Sequence, residues 1–400
     1  MTRSHAWLAA AVAAVALGTA ACSSSGGGGG SGSASPSQSP VAVGGVVPVQ
    51  LPGMHTQQAI SPATTMIPTA ISADGKFLYV LARDGVVPVD LTSSQLLPVI
   101  QTGDNPRQMA ITKDGKTGYV VNAASNSVTP VSIADNKAGT PITVGRFPVE
   151  VTFTPNGKMA YVGNGLSGTV TPVDVAKGKA LKSIKVGSGP KTYPAAIAIT
   201  PDGKTALVAL RGSDKVVPIN VATNKAGKPI TVGQAPYAIA ITPDGKMAYV
   251  SNARGSSVSP VDLVKHKALP AIKVGENPGA IAISPDGKTV YVASDFNFRI
   301  QGTVTPIDVA TNKAGTPIKV GIDPSVIAIP SGGGSIAYVL DQESTSVTPI
   351  DMSTNTAKPP TDVGISNGQI SGMLLAPDGS MAYVGRYAGS LNGAPPQLPG

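Results

Sequence analysis

A unit of about 42 residues recurs along most of the chain, and this repeat constrains the fold more than any other feature. Each unit carries a Tyr-Val pair or a close equivalent, beginning at Tyr79, Tyr119, Tyr161, Leu207, Tyr249, Tyr291, Tyr338 and Tyr383. The units contain short apolar runs separated by turns and lack helical periodicity. Because this period matches the length of a four-stranded blade, the repeat predicts an all-β propeller.

The unit from residue 238 to residue 275 shows the predicted strands most clearly. Its apolar runs are assigned from the inner to the outer edge of the blade as strand A (residues 238–241), strand B (247–251), strand C (258–262) and strand D (271–274). Pro243, Asp244 and Gly245 join strands A and B. Proline presets φ and glycine accepts a positive φ, so this sequence predicts a tight turn.

A proline recurs in every predicted strand C, where it removes a backbone donor. The prolines are Pro48, Pro88, Pro130, Pro172, Pro218, Pro260, Pro306 and Pro349. We expect either a bulge at this position or a backbone N–H site that faces away from the neighbouring strand.

The two ends of the repeat region predict the number of blades. Residues 46–50 and the segment around Ala59 and Ile60 align with strands C and D, whereas residues 373–377 and 381–385 align with strands A and B. If these halves pair, they complete an eighth blade and close the ring, which hides the edge strands. We therefore predict eight blades over residues 46–385, followed by a tail over 386–400. A seven-bladed ring with a displaced half-repeat is the alternative.

The best-preserved repeats resemble a known family. Tyr119-Val120-Val121-Asn122, Tyr161-Val162-Gly163-Asn164 and Tyr249-Val250-Ser251-Asn252 are similar to the signature of YVTN β-propeller repeats in bacterial and archaeal surface proteins. The resemblance covers roughly residues 46–385, and the prolines of strand C depart from it. It implies a propeller at the cell surface and no particular reaction, because this fold carries many functions.

The N-terminal segment predicts export. Arg3 precedes an apolar stretch over residues 6–17, which is too short to span a bilayer and suits a secretory signal. The segment ends at Cys22, the single cysteine of the chain, and residues rich in Gly, Ser and Pro follow. This resembles a bacterial lipoprotein signal, although Thr19 stands where leucine is most frequent.

The resemblance implies a signal peptide over residues 1–21, a lipidated Cys22 and a flexible tether over 22–45. The protein is then exported to the outer face of the plasma membrane or cell envelope and contacts the membrane through its lipid anchor only. Ordinary secretion with an incidental cysteine is the alternative. The net charge of +8 weakly favours anionic partners, but no basic block indicates nucleic acid.

Features of a binding surface fall on the face formed by the D–A and B–C connections. Loop-length variation is concentrated there, as in residues 187–196 and 293–302. Arginines and non-strand aromatics map to the same connections, whereas most lysines map to the opposite face. Acidic residues map to these connections as well, among them Glu150 and Asp341. The candidate ligand-binding residues are Arg83, Arg107, Arg146, Phe147, Tyr193, Arg211, Tyr237, Arg254, Phe296, Arg299 and Arg386. Arginine beside exposed rings is typical of recognition surfaces.

The sequence offers little for catalysis. Beyond the signal segment only His55 and His266 remain, and they map to C–D connections of different blades. We predict a non-enzymatic binding or scaffold protein with no cofactor or metal, whose partner is a protein, a glycan or an anionic envelope polymer. The alternatives are a lactonase-like hydrolase with a channel active site, a structural envelope protein, and a calcium site that includes Asp295 or Asp341.

Overall fold

A computed structural model describes residues 45–50, 55–56, 67–188, 192–294, 300–330, 333–364 and 370–386. These residues form strands and turns, and none of them forms an α-helix. Within these ranges, no helix of the length and apolarity required to cross a bilayer is present.

The first strands of the chain are arranged in repeated groups. The first strands in the described residues are β1 (Gly45–Gln50) and β2 (His55–Thr56). Blade 1 contains β3 (Ile67–Ile71), β4 (Phe77–Leu81), β5 (Gly85–Asp90), β6 (Gln95–Leu96) and β7 (Ile100–Gln101). Blade 2 contains β8 (Pro106–Ile111), β9 (Thr117–Asn122), β10 (Ser127–Ser132), β11 (Lys137–Ala138) and β12 (Ile142–Thr143). Blade 3 contains β13 (Pro148–Phe153), β14 (Met159–Asn164), β15 (Thr169–Asp174), β16 (Lys179–Ala180) and β17 (Ile184–Lys185).

The same order continues to the end of the ring. Blade 4 contains β18 (Pro194–Ile199), β19 (Thr205–Leu210), β20 (Lys215–Asn220), β21 (Lys225–Ala226) and β22 (Ile230–Thr231). Blade 5 contains β23 (Pro236–Ile241), β24 (Met247–Asn252), β25 (Ser257–Asp262), β26 (Lys267–Ala268) and β27 (Ile272–Lys273). Blade 6 contains β28 (Ile281–Ile283), β29 (Thr289–Ser294), β30 (Gln301–Asp308), β31 (Lys313–Ala314) and β32 (Ile318–Ile322). Blade 7 contains β33 (Pro324–Ala328), β34 (Ile336–Asp341), β35 (Ser346–Asp351), β36 (Thr356–Ala357) and β37 (Thr361–Asp362). The chain returns with β38 (Ile370–Leu375) and β39 (Met381–Arg386).

The strands form eight antiparallel sheets, and the innermost strand of each packs against those of its two neighbours, which closes the ring. Blade 8 has the order β2-β1-β39-β38, so it joins the two ends of the chain. Val47 pairs with Val384 and Pro48 with Tyr383 in this register. The prediction of eight blades is confirmed, and the N-terminal β1 closes the ring against the C-terminal β39. The segment around Ala59 and Ile60, predicted as strand D, lies outside the described residues, and β2 is the outer strand that the structure describes.

Strand D differs from its prediction because of the proline in strand C. Pro130 pairs with Tyr119 of strand B, and its carbonyl accepts a hydrogen bond from Gly139 N–H at 2.7 Å. The N–H and C=O of a residue in a strand point to the same side, so the missing donor faces strand D. The outer strand bulges there and splits into two short segments, such as β11 and β12. In blade 5 the outer strand therefore consists of β26 and β27, and only β27 falls within residues 271–274, the segment predicted as strand D.

The hydrophobic core lies between neighbouring blades rather than at the ring's axis. Strand B is the most buried strand, as Ala248, Tyr249 and Val250 are fully buried. Strand A was predicted to be a buried inner strand, but β23 alternates between buried and partly buried residues. Strand A borders the central axis, so only part of its surface is covered by the next blade.

Candidate functional site

The D–A and B–C connections meet at one end of the central axis, which we call the mouth. In blades 2, 3, 4, 5 and 7 two residues lie side by side here: the residue before the proline that begins strand A, and the first residue after strand B. A backbone hydrogen bond links the N–H of the second to the carbonyl of the first, as in Ala123–Asn105 (2.9 Å), Gly165–Phe147 (2.8 Å), Arg211–Tyr193 (3.0 Å), Ala253–Ala235 (3.0 Å) and Gln342–Asp323 (3.0 Å). The backbone therefore positions these side chains whatever their identity.

The last residue of strand B supports the mouth from below. Asn122 is fully buried, and its Nδ2 donates to the carbonyl of Thr102 and to the hydroxyls of Ser127 and Thr129. Its Oδ1 accepts from the hydroxyl of Thr102 at 3.1 Å. The amide thus ties the end of strand D to the B–C turn, which gives the asparagine of the Tyr-Val-x-Asn repeat a structural role.

Arg107 and Phe147 form the first pair at the mouth. The guanidinium carbon of Arg107 lies 5.1 Å from the centre of the Phe147 ring, within the range of a cation–π contact. Phe147 is held at a φ of 54°, which is unusual for a bulky residue. Its N–H donates to Oδ1 of Asn126 at 2.8 Å, and its carbonyl accepts from Gly165. These bonds offset the backbone strain and hold the ring beside Arg107.

Arg211 and Tyr237 form a second pair, in which the guanidinium carbon lies 5.4 Å from the ring centre. Burial raises the pKa of the Tyr237 hydroxyl to about 12, and the Arg211 charge opposes this shift. Tyr193 connects the two pairs. Burial raises the pKa of Tyr193, and the charges of both Arg107 and Arg211 act against that rise. Both guanidinium groups therefore lie within electrostatic reach of one hydroxyl.

Glu150 is a carboxylate that sequence reasoning misplaced. It was assigned to the loops, but it lies in β13 with 4% of its surface exposed. Its Oε2 accepts from Ile197 N–H of blade 4 at 2.7 Å, and burial raises its pKa to about 8. Gln108 makes the equivalent bond to Val151 N–H at 2.6 Å. The shared register of Gln108 and Glu150 is the signal that could have identified this inter-blade contact.

Acidic residues lie on the blade 7 side. Asp323 is 2% exposed, and its Oδ1 has no hydrogen-bond partner. Burial and the nearby Glu343 charge raise its pKa to about 6. Asp341, also assigned to a loop, ends strand B in the place of the asparagine and accepts from the hydroxyls of Ser346 and Thr348. Burial raises its pKa to about 6, although those two hydroxyls lower it.

The remaining predicted residues are more dispersed. Arg83, Arg146 and Arg254 are exposed at the mouth face but belong to different connections. Arg107 and Tyr237 were assigned to loops and are instead the second residues of β8 and β23. Arg386 is the last residue of β39. Cys22, Phe296 and Arg299 lie outside the described residues. The structure thus gathers Arg107, Phe147, Tyr193, Arg211 and Tyr237, which we call the mouth cluster.

Metal ligands are not gathered in the same way. In the ranges that the structure describes, no three His, Cys, Asp or Glu side chains are placed to hold a metal ion. His266 lies in a C–D turn with a φ of 51°, and a shallow cleft that it lines with Pro229 and Lys265 is remote from the mouth. Asp295 lies outside the described residues.

Comparisons with known proteins support the propeller architecture. A family model described as a lactonase with a seven-bladed β-propeller matches residues 143–269, from the outer strand of blade 2 to that of blade 5. The present ring has eight blades. No curated protein sequence matches the chain.

Three solved structures share the fold. Hydrazine synthase of Kuenenia stuttgartiensis is 23% identical with a TM-score of 0.55, over 71% of this chain and 96% of that chain. The dihydro-heme d1 dehydrogenase NirN, in complex with DHE, is 16% identical with a TM-score of 0.64, over 80% and 76%. A functionally unknown protein from Desulfotomaculum acetoxidans DSM 771 is 19% identical with a TM-score of 0.56, over 77% and 98%. At these identities the likeness concerns the fold alone.

Proposed function

We propose that this propeller is a lipid-anchored binding or scaffold module of the cell surface, and that its mouth face engages the ligand. The proposal is supported chiefly by the mouth cluster, in which two guanidinium groups stack on aromatic rings. The ion pairs among the described residues are all made by lysines, so both arginines keep their charge available. Stacked arginines beside rings are frequent among residues that dominate binding energy.

Co-sedimentation with purified cell-envelope material across a salt series tests this function. The alanine variant at Arg107, Arg146 and Arg254 is expected to lose binding that weakens with salt. The matched control replaces Lys113, Lys116 and Lys158, which are exposed at the opposite face, and removes the same formal charge. Equal binding by the two triple variants would contradict a role for the mouth face.

The surface location is supported by the resemblance to YVTN repeats and to lipoprotein signals. The first described strand begins at Gly45, which pairs with Arg386 at the mouth face. β1 therefore begins on the side of the ring that carries the mouth cluster. Incorporation of a labelled fatty acid is expected in the wild-type chain and absent after Cys22→Ser. Labelling of the variant to the wild-type level would contradict anchoring through this cysteine.

A lactonase-like hydrolase is a second candidate, favoured by the family match over residues 143–269. Its carboxylates would come from Glu150 and Asp323, whose raised pKa values suit proton transfer. An assay of lactone hydrolysis, monitored by the acid that the reaction releases, separates the two functions. Turnover that Glu150→Gln and Asp323→Asn abolish would favour the hydrolase over the binding module.

A further inference from the structure

We propose that Arg107, Tyr193 and Arg211 form a pocket for one oxyanion group, a carboxylate or a phosphate monoester, on a ligand that docks at the mouth. This inference rests on the proposed function and specifies the chemical class that the mouth recognises. Carboxylates and phosphates share the oxygen geometry that guanidinium donors match, so the two are treated as one chemistry.

The first argument is that both guanidinium groups are held against rings and make no ion pair with any of the described residues. Arg107 rests on Phe147 and Arg211 on Tyr237, at 5.1 and 5.4 Å from the ring centres. A stacked guanidinium keeps the N–H groups at its edge free for an acceptor. Arg107 is partly exposed, but its Nε is buried without a hydrogen-bond partner, which leaves one N–H of the guanidinium unpaired in the unliganded protein. A bound anion offsets that cost.

The second argument is that both guanidinium charges act on the hydroxyl of Tyr193, which is itself held in place by its neighbours. Tyr193 is positioned by its neighbours, since its carbonyl accepts from Arg211 N–H at 3.0 Å and its ring lies over Gly165. An ideal Cβ at Gly165 would be only 2.7 Å from Cε2 of Tyr193. The absence of a side chain at residue 165 therefore lets the ring occupy this place, where both arginine charges reach its hydroxyl.

The third argument is that the positive region is confined to one side of the ring. The register places Gly279, Ser325 and Ser371 in blades 6 to 8 at the position that Arg107 occupies in blade 2. Asp323 of blade 7 acts on Tyr237 with a charge opposite to that of Arg211. Small side chains and an acidic residue therefore face the cluster. This arrangement suits one anionic group on a ligand better than a chain of many anionic groups.

Calorimetric titration of the full chain in a nonionic detergent tests the pocket. Glucuronate and glucose 1-phosphate serve as carboxylate and phosphate probes, and glucose is the neutral control. At least one anion is expected to bind with a Kd of about 1 mM or below, and glucose is expected not to bind. The probe with the higher affinity distinguishes a carboxylate pocket from a phosphate pocket.

Variants then assign the binding to the pocket. Arg107→Ala and Arg211→Ala are each expected to weaken anion binding at least about tenfold, because each removes a charge-assisted bond. Lys158→Ala removes one exposed charge at the opposite face and is expected to bind as the wild type does. Arg107→Lys and Arg211→Lys keep the charge without the planar fork, and an intermediate loss is expected. Thermal unfolding of each variant checks that it is folded, and the lysine variants replace any alanine variant that is not.

Binding of neither anion, equal binding of glucose, or unchanged affinity in the folded arginine variants would overturn the pocket. These results differ from a failure of the proposed function. If neither anion binds while envelope co-sedimentation still requires Arg107, Arg146 and Arg254, the binding module stands and only the oxyanion pocket is wrong. If envelope binding is also independent of these arginines, both proposals are wrong.

Discussion

At the residue scale, Glu150 makes the stability of the ring depend on pH. Its pKa rises from 4.5 to about 8 on folding because burial disfavours the charged carboxylate. The folded state therefore binds more protons than the unfolded state between these values. The free energy of unfolding should fall as pH rises through this window, by on the order of 3 kcal/mol from this group.

Glu150→Gln should remove that loss. The amide Oε1 can still accept from Ile197 N–H, as Gln108 does from Val151 N–H. Chemical unfolding at pH 5 and pH 8 is the measurement, and the variant should be the more stable protein at pH 8. Asp323 and Asp341 act in the same direction in both proteins and cancel in the comparison. If the free energy of unfolding of the variant depended on pH as strongly as that of the wild type, Glu150 would not be the buried group that titrates.

Gly165 sets the position of Tyr193, so Gly165→Ala should weaken binding of the anionic probes several-fold. The new methyl group would lie 2.7 Å from the Tyr193 ring and 3.1 Å from the Phe147 carbonyl oxygen. Gly334→Ala is the matched control, since the nearest atom there is 3.9 Å away. Calorimetric titration of both variants is the measurement. Unchanged affinity in Gly165→Ala would mean that the Tyr193 ring is not needed in its present place.

The residues of the site were predicted unevenly. Arg107, Phe147 and Arg211 lie at the face that loop length and composition indicated, whereas Phe296 and Arg299 lie outside the described residues. The stacking of Arg107 on Phe147 was beyond prediction, since it joins blades 2 and 3 and depends on a positive φ at Phe147. Glu150 was misplaced because its neighbours in sequence resemble a loop, whereas its burial comes from the next blade.

At the element scale, tyrosine hydroxyls of strand B connect four of the described blades to the blade that follows. Tyr161 Oη donates to Oδ1 of Asn224, in the C–D turn of blade 4, at 2.7 Å. Tyr161→Phe should lower the free energy of unfolding by about 1 kcal/mol, because it leaves the Asn224 amide without its donor. Tyr119→Phe is the matched control, since the corresponding turn residue is Gly178, which has no side chain. Denaturant unfolding of both variants checks this, and equal losses would contradict it.

The strands themselves were predicted to within a residue or two where turn signals were strong. Thr242, Asp244 and Gly245 specify the turn between β23 and β24, with Asp244 Oδ1 accepting from the Thr242 hydroxyl and from Lys246 N–H, and Gly245 at a φ of 70°. Strand D was predicted less well. Its split depends on the partner proline in strand C, and local sequence does not carry information about a partner strand.

At the scale of the whole molecule, closure depends on residues far apart in sequence. Val46 and Val49 of β1 are fully buried in blade 8, where β1 pairs with β39 along its length. A chain that begins at residue 57 lacks β1 and β2 and leaves β39 as an open edge, which favours pairing with other chains. It should unfold at a lower temperature and self-associate, as measured by thermal unfolding and light scattering.

A chain that begins at residue 41 keeps every strand and serves as the control. If the shorter chain remained a monomer of unchanged stability, the ring would not need its N-terminal strands. The number of blades was predictable because the repeat supplies two complementary halves at its ends. The assembly of the mouth cluster was not, because Arg107 and Tyr193 come within electrostatic reach only when blades 2, 3 and 4 pack side by side.

The backbone hydrogen bonds at the mouth affect how the ligand specificity of such a ring can change by mutation. Each is made by main-chain atoms, and the side chains that it presents range from Ala235 to Tyr193 and from Ala123 to Arg211. A substitution at these places, Gly165 excepted, changes the side chain presented at the mouth and leaves the main-chain hydrogen bond in place. Recognition and folding are therefore separable here, and a library restricted to the paired positions could retarget the protein to new ligands while the blades stay as they are.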